Sequence, residues 1–461
     1  MKRTLIKNYS RRKFIQSAAV TGVASTLGMP AIVRAQNQNS KLQVGFVATG
    51  GRANAHVGFT YGARNKYGLQ CVAFAEVNKN SWKNVRGKKE WKDAKGYTDW
   101  REMFQKHTKE LDVVFVATPD HTHYGPSMTA VSNGIHCYTE KPLTWSVREA
   151  QNLTKAYAKN TGVVTQMGNQ GHAGNGWRLA YEFVKAGAVG DIKEFHTWTN
   201  RPVWPQGGDR PKGSDPVPDS LDWNSWIGPA PMRPYKKGVY PFAWRGFVDF
   251  GSGALGDMAC HTTDGIYSIM RPGYAASAEP LMMTGPCKDQ YPAGMTLKVG
   301  YRATKDRPAF VTYWYEGKKK NGRNNMPETP EEVSSLPRTG NLIIGTKGKM
   351  LVKGDYWNEP IIIPESRRKE FGKPPQLLER SPGHHNEFIM ACRGDKPREF
   401  SQSNFSYSGF MTANIQLGNL CARAGKKIEL NKEGVITSDP SINKLAWRVP
   451  RKGWDALKTN I

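Results

Sequence analysis

Residues 252–264, SGALGDMACHTTD, place Asp257 four positions before His261 and Asp264 three positions after it. Residues three and four apart share one face of an α-helix. On a helix, His261 stands with a carboxylate one turn away on each side. That arrangement orients a general base and holds its proton. The same spacing also suits a capped helix start, with Asp257 near the N-cap and His261 hydrogen-bonded in a core. No metal-ligand spacing accompanies it. The six cysteines (71, 137, 260, 287, 392, 421) are scattered without a C-x-x-C pair and read as buried thiols. His384 and His385 stand beside Glu387 near a helix start. Adjacent helical residues diverge, so a structural or interfacial role is predicted there, and no metal.

The elements that must position these groups fall into two parts. Predicted strands at 42–48, 69–77, 111–118, 135–139 and 163–167 alternate with helices, notably 146–159 and 177–186. Continuous apolar strands alternating with helices imply a parallel, doubly wound (Rossmann) sheet with ligands at the strands' carboxyl ends. Ala48-Thr49-Gly50-Gly51-Arg52-Ala53 fills a G-x-G-x-x-G frame, with alanine at the first and third glycine positions. Glycines in that turn let the backbone approach a pyrophosphate. Glu76 closes the second strand, where a carboxylate takes ribose hydroxyls and repels a 2′-phosphate. NAD is therefore favoured over NADP, although Lys79 lies close by.

Further strands at 192–200, 297–303, 309–316 and 341–352 fit a second, broad sheet. The segment between them, 200–251, is rich in Pro, Gly and aromatic residues, including Trp204, Trp223, Trp226, Tyr235, Tyr240, Phe242 and Trp244. It is expected to wrap over the site. Trp244 and Arg245 lie nearest the 252–264 helix and are the predicted substrate contacts, with Asp264 sharing the face of His261. A helix over 405–423 ends near Gly425, and a tail with Trp447, Arg448 and Trp454 is expected to pack back.

With 461 residues the chain should hold two or three domains. Its net charge of +27 raises a nucleic-acid reading. The charge is spread out, however, its densest run at 318–323 looks like a solvated loop, and no nucleic-acid motif accompanies it. The N-terminus carries Ser10-Arg11-Arg12-Lys13-Phe14-Ile15, an apolar stretch at 17–29, and Val33-Arg34-Ala35. This order reads as a twin-arginine (Tat) export signal over 1–35, cleaved before Gln36. Periplasmic export of a chain already folded around a cofactor follows. The stretch is too short and interrupted to span a bilayer, and no other segment suits a stable span.

Glu140-Lys141-Pro142 follows the predicted strand at 135–139. With the glycine turn, Glu76, Thr118-Pro119-Asp120-His121-Thr122-His123 and Asp257-x-x-x-His261, it makes the chain resemble the glucose–fructose oxidoreductase/inositol dehydrogenase/MocA (Gfo/Idh/MocA) family. The stretches 223–235 and 251–261 resemble an exported branch of it. The resemblance implies a Rossmann domain (41–170), then a C-terminal α/β domain with a large, mostly antiparallel open sheet (171–430), and the tail at 431–461. It implies an NAD-dependent oxidoreductase of a sugar, sugar derivative or cyclitol, and the predicted export favours tightly held NAD. Lys141 would touch nicotinamide and substrate hydroxyl, His261 would act as base, and Asp257 would orient it or bind a hydroxyl. Thr49, Gly50, Gly51, Arg52, Glu76, Thr118, Pro119, His121, His123, Glu140, Lys141 and Gln170 would line the cofactor. A homo-oligomer through the open sheet face is implied too. The fold also hosts NAD-dependent glycoside hydrolases, which oxidise C3 transiently and recycle NAD, and non-catalytic sugar-binding relatives. Retention of Lys141, Asp257 and His261 argues against the last.

Overall fold

Runs of three to seven residues, most of them apolar, build the first sheet. Its six strands are β1 (Leu42–Val47), β2 (Leu69–Ala75), β3 (Lys95–Tyr97), β4 (Val113–Val116), β5 (His136–Thr139) and β6 (Thr165–Met167). The structure, a computed structural model, describes residues 41–454. The predicted export signal and the last residues of the predicted tail, 455–461, lie outside the described residues. The strands are all parallel, in the order β3-β2-β1-β4-β5-β6. The order reverses at β1 and β4, which opens a ligand crevice at their carboxyl ends. The crossings carry α1 (Ala53–Gly62), α2 (Trp100–His107), α3 (Tyr124–Ser132) and α4 (Val147–Lys159). Ser146 and Glu149 close a capping box at the start of α4. The sequence reading misses β3, which is three residues long and polar.

After α5 (Gly176–Lys185) the chain enters the second sheet through β7 (Ile192–Trp198). Beyond the wrapping segment come α6 (Gly253–Thr262) and α7 (Asp264–Met270). Then follow β8 (Ser277–Thr284), β9 (Gly294–Tyr301), β10 (Phe310–Gly317), β11 (Gly340–Gly345), β12 (Lys349–Lys353) and β13 (Glu359–Ile363). Next are α8 (His384–Cys392), α9 (Phe405–Ala424) and β14 (Ile428–Glu429). The order is β13-β12-β11-β7-β10-β9-β8-β14, antiparallel except for β7 beside β10. The single strand expected at 341–352 is the β11–β12 hairpin. The chain reverses at Thr346 and Lys347, where Gly345 N–H donates to Gly348 O.

One apolar core runs from β4 and β5 through α4 and α9 to β9 and β10, with Val116, Leu153, Leu417 and Leu297 in it. The far face of the Rossmann sheet is closed by α8, whose Phe388 and Ile389 pack with Phe46, Phe115 and Tyr138. A helix far along the chain therefore belongs spatially to the first sheet. In the described part of the tail, Trp447 stacks edge-on with Tyr124, and Arg101 lies 3.7 Å over the Trp454 ring. Among the described residues, no helix is long and apolar enough to cross a membrane.

Candidate active site

All ten residues of α6 are buried, Asp257 and His261 among them. It starts at Gly253, whose φ is +61° and whose missing Cβ would stand 2.9 Å from the Tyr291 ring. Only glycine suits that corner. From α9, Gln416 donates to Ser252 Oγ (2.9 Å) and Asn419 donates to Ser252 O (2.9 Å), which pins the helix entrance.

Lys141 arrives from the end of β5 and meets this helix. Its Nζ donates to Asp257 Oδ1 (2.5 Å) and Asp257 O (2.9 Å). Arg245 brings a second cation, with NH1 3.3 Å from Asp257 Oδ1 and 3.5 Å from Asp120 Oδ1. Burial pushes the Asp257 carboxyl up, but Lys141 and Arg245 outweigh it and hold it at about 2. Asp120 goes the other way, because burial outweighs Arg245, His123 and Lys141 and raises it.

His261 lies one turn along α6 but forms no hydrogen bond to Asp257. Its Nδ1 is buried without a hydrogen-bond partner. Burial, followed by the charge of Lys141, pushes the imidazole down to about 3. The expectation that a carboxylate holds its proton is therefore corrected: the Asp257 carboxylate is committed to Lys141 and Arg245. The ring is flanked instead by Tyr356, edge-on at 5.0 Å. Asp264 does not share the face either. Helix α6 ends at Thr262, and Asp264 opens α7. Its carboxylate takes His172 Nδ1 (2.9 Å), Asn169 Nδ2 (2.9 Å) and Tyr407 OH (2.7 Å). This buried network fixes the 169–173 turn, so Asp264 supports the site from below and presents no oxygen to a substrate.

Trp244 is buried too. Its Nε1 donates to Pro241 O (3.0 Å), and it packs with Trp226, Phe247 and Phe250. It acts as a platform, with the Arg245 guanidinium 4.4 Å above its ring.

At the cofactor end, Gly51 has φ +51° and open space where a Cβ would stand. Glu76 Oε2 accepts from Thr49 N–H (2.8 Å) and Gly50 N–H (2.9 Å), and Oε1 from Asn78 N–H (2.8 Å). The carboxylate thus shapes the turn, and Oε1, with a single donor on it, keeps a lone pair for a ribose hydroxyl. Thr118 has a buried hydroxyl without a partner, aimed from the end of β4. An open glycine turn before α1, a carboxylate at the end of β2 and this orphaned hydroxyl fit a dinucleotide.

His121 and His123 are corrected. The His121 ring nitrogens each sit 3.1 Å from a backbone oxygen, of Phe250 and Trp226. Those of His123 sit 2.7 and 2.8 Å from Pro142 O and Thr118 O. Both tie strand ends to the loops carrying Lys141 and Arg245, leaving no ring nitrogen for the cofactor. Pro119 is the residue before this short turn.

Glu140 is buried at the centre of a network that the sequence does not reveal. Arg52 Nε donates to its Oε1 (2.9 Å), and His56 Nε2 lies 3.0 Å from the same atom. Burial opposes ionisation, yet His56 and Arg52 hold the Glu140 carboxyl well below its usual range. An ionised acceptor requires His56 to carry its proton on Nε2. His56 Nδ1 lies 2.8 Å from His385 Nε2. His384 turns away to Met167 O (2.9 Å). The two adjacent histidines therefore have separate structural partners. Gln170 reaches Tyr356, its Nε2 donating to the phenol oxygen (3.3 Å). His56 and Tyr356 are the site residues that sequence reasoning passes over; Asp120 enters it only within the 118–123 motif, and His385 only as a structural or interfacial residue. A histidine on the first helix after the glycine turn was the one available signal.

Two family models match the chain. Residues 42–168 match the oxidoreductase family's NAD-binding Rossmann fold, and residues 192–297 its C-terminal alpha/beta domain. The chain belongs to the Gfo/Idh/MocA oxidoreductase family. It is 34% identical over 98 residues to the 2,7-anhydro-N-acetylneuraminate hydratase of Escherichia coli K12, covering 20% of this chain and 26% of that protein. It is 28% identical over 156 residues to the levoglucosan dehydrogenase of Pseudarthrobacter phenanthrenivorans, covering 34% of this chain and 32% of that one. The matches thus span between a quarter and a third of these relatives' length. The fold is similar to that of the WlbA dehydrogenase of Bordetella pertussis, solved with NADH and UDP-GlcNAcA. There the TM-score is 0.56 at 17% identity, over 85% of this chain and 99% of the other.

Proposed function

We propose that this protein is an NAD-dependent oxidoreductase acting on a secondary hydroxyl of a sugar, sugar derivative or cyclitol. The observation that carries the reading is the meeting of Lys141 Nζ with Asp257 one helical turn from His261, beside the end of a dinucleotide-binding sheet. Bound NAD supplies the hydride acceptor. The chain's own groups handle the proton and the charge. His261, held neutral at ordinary pH by burial, is in the form that accepts a hydroxyl proton. Its low basicity leaves alkoxide stabilisation to the Lys141 ammonium, which Asp257 keeps aimed. Arg245 shares Asp257 Oδ1 with Lys141, its NH1 3.3 Å away. The levoglucosan dehydrogenase match supports a carbohydrate substrate.

A second reading is a reaction on a glycoside with no net oxidation, in which NAD is recycled in place. The match to a protein named a hydratase favours it. One assay separates the two. Purified protein with NAD is offered free polyols and aryl glycosides. NADH accumulation with polyol turnover supports the dehydrogenase, and aglycone release without NADH sinks it.

Export is part of the proposal and rests on the 10–35 sequence pattern. A periplasmic product beginning at Gln36 is expected, and replacing Arg11 and Arg12 by Lys should trap the precursor inside. Assembly as a homo-oligomer rests on the family resemblance, and sedimentation velocity tests it.

A further inference from the structure

Tyr356 lies about a hundred residues from α6, in the turn between β12 and β13, and yet faces His261. Three features of the chain put it there. Trp357 adopts φ +58°, a left-handed backbone rarely taken by a bulky residue. Its indole is buried to 1% and donates to Thr262 O (2.7 Å), at the last turn of α6. Gly265 on α7 lets it in, since a Cβ there would come within 2.5 Å of the indole. The left-handed residue reverses the side-chain directions, so Trp357 anchors below while Tyr356 turns toward the site. Its ring edge meets the His261 imidazole at 5.0 Å and 75°. Its hydroxyl takes a long hydrogen bond from Gln170 (3.3 Å), a residue fixed by the Asp264 network. Tyr356 is still 38% exposed, unlike the indole beside it.

A backbone outlier held by a buried anchor marks a position the fold over-determines. What it delivers is a half-exposed phenol and an amide, side by side, over the proton acceptor. We propose that Tyr356 and Gln170 form a hydroxyl-binding pair that positions the substrate. The pair would take the hydroxyl vicinal to the one that His261 deprotonates, so the enzyme would require a 1,2-diol. The inference rests on the dehydrogenase reading. The phenol donates to the substrate oxygen and the Gln170 amide completes it, while the ring edge keeps the imidazole upright.

The test uses the full chain with NAD bound and a panel of cyclitols, free hexoses and their deoxy analogues lacking one vicinal hydroxyl. Saturation-transfer NMR reads binding, and NADH formation reads turnover. Tyr356→Phe keeps the ring edge and removes the donor. It should raise KM about tenfold with kcat within about twofold, and should no longer distinguish polyol from deoxy analogue. Tyr356→Ala should lose kcat as well, because His261 loses its flank, and Tyr356→Phe should rescue that part. Gln170→Ala should repeat the KM effect, and the double variant should add little. Unchanged KM in Tyr356→Phe, or retained discrimination, overturns the proposal. Polyols that bind and respond to Tyr356→Phe but are never oxidised would overturn the dehydrogenase reading and leave the pair standing. Binding of no polyol would overturn both.

Discussion

Lys141 Nζ lies 2.5 Å from Asp257 Oδ1, so the lysine of the first domain and the acid of the second form one ion pair across the cleft. Each side chain is mostly buried, at 14% and 10% exposure. In such a pair one charge cannot be removed without stranding the other. Lys141→Met should lower kcat about 10²- to 10³-fold, as for loss of an oxyanion stabiliser. Without that ammonium, Asp257 is left to Arg245 and its carboxyl should rise from about 2. Asp257→Asn should also lose kcat while NADH binding, read by fluorescence, stays within about threefold. A wild-type rate in either variant rules out the assigned roles.

Glu76 carries two tasks, and its substitution should separate them. The carboxylate holds the amides of Thr49 and Gly50 and repels a 2′-phosphate. Glu76→Ala should relax NAD-over-NADP discrimination about tenfold. Absolute affinity for both cofactors should fall, because two turn amides lose their acceptor. Isothermal titration with each dinucleotide checks this. A gain in NADP affinity without loss of NAD affinity would mean that Glu76 does not shape the turn.

How far the sequence carries the reading depends on what fixes each residue. Glu76 and Lys141 are legible because each ends a strand, and the alternation of strand and helix dictates that strand ends converge. Asp257 and His261 are legible as one helix face, and α6 bears that face. Spacing gives a face but not a partner, however. The partner of Asp257 comes from 116 positions away, and nothing in 252–264 reports it. Asp264 is misplaced because the helical period is carried one turn too far, past the break at Thr263. Tyr356 is not legible at all, since its aim depends on a single left-handed residue and an anchor on another helix. The parallel sheet is read nearly whole, whereas the second sheet loses β8, β13 and β14. Those strands lie at or near the sheet's two edges, and β8 and β13 alternate less cleanly.

Asp264 makes a prediction that distinguishes support from contact. Its carboxylate and the His172 ring are each 3% exposed and hydrogen-bonded to one another. Asp264→Ala should cost about 3 kcal/mol of stability, the range for breaking a buried pair. Asp264→Asn keeps the shape and should cost less. At a temperature where each variant is folded, KM for substrate should stay within about twofold. A large KM effect in a stably folded Asp264→Asn protein would return Asp264 to the substrate.

Stability should peak near pH 6.5, and the sign follows from the buried groups. Burial pushes His121, His261 and His385 down to about 3 and His136 to about 4, from an ordinary 6.5. When pH falls below 6.5 the unfolded chain binds protons at these positions and the folded chain does not. Their contribution is therefore present above 6.5 and is lost on acidification, at about 1.4 kcal/mol per pH unit for each group within its window. Burial lifts Glu149 to about 7 and Glu316 to about 8, from an ordinary 4.5. These two hold protons in the folded state that the unfolded chain has released, so their contribution is lost as pH rises toward 7 and 8. Between pH 4.5 and 6.5 four histidines oppose two glutamates, and stability rises with pH. Between 6.5 and 8 Glu149 and Glu316 act, with Asp120 and Glu387 raised in the same sense, and stability falls. Thermal midpoints measured from pH 5 to 9 should show this maximum, and Glu316→Gln should flatten the alkaline side. A midpoint that climbs steadily through pH 8 would mean that Glu149 and Glu316 are ionised in the folded protein.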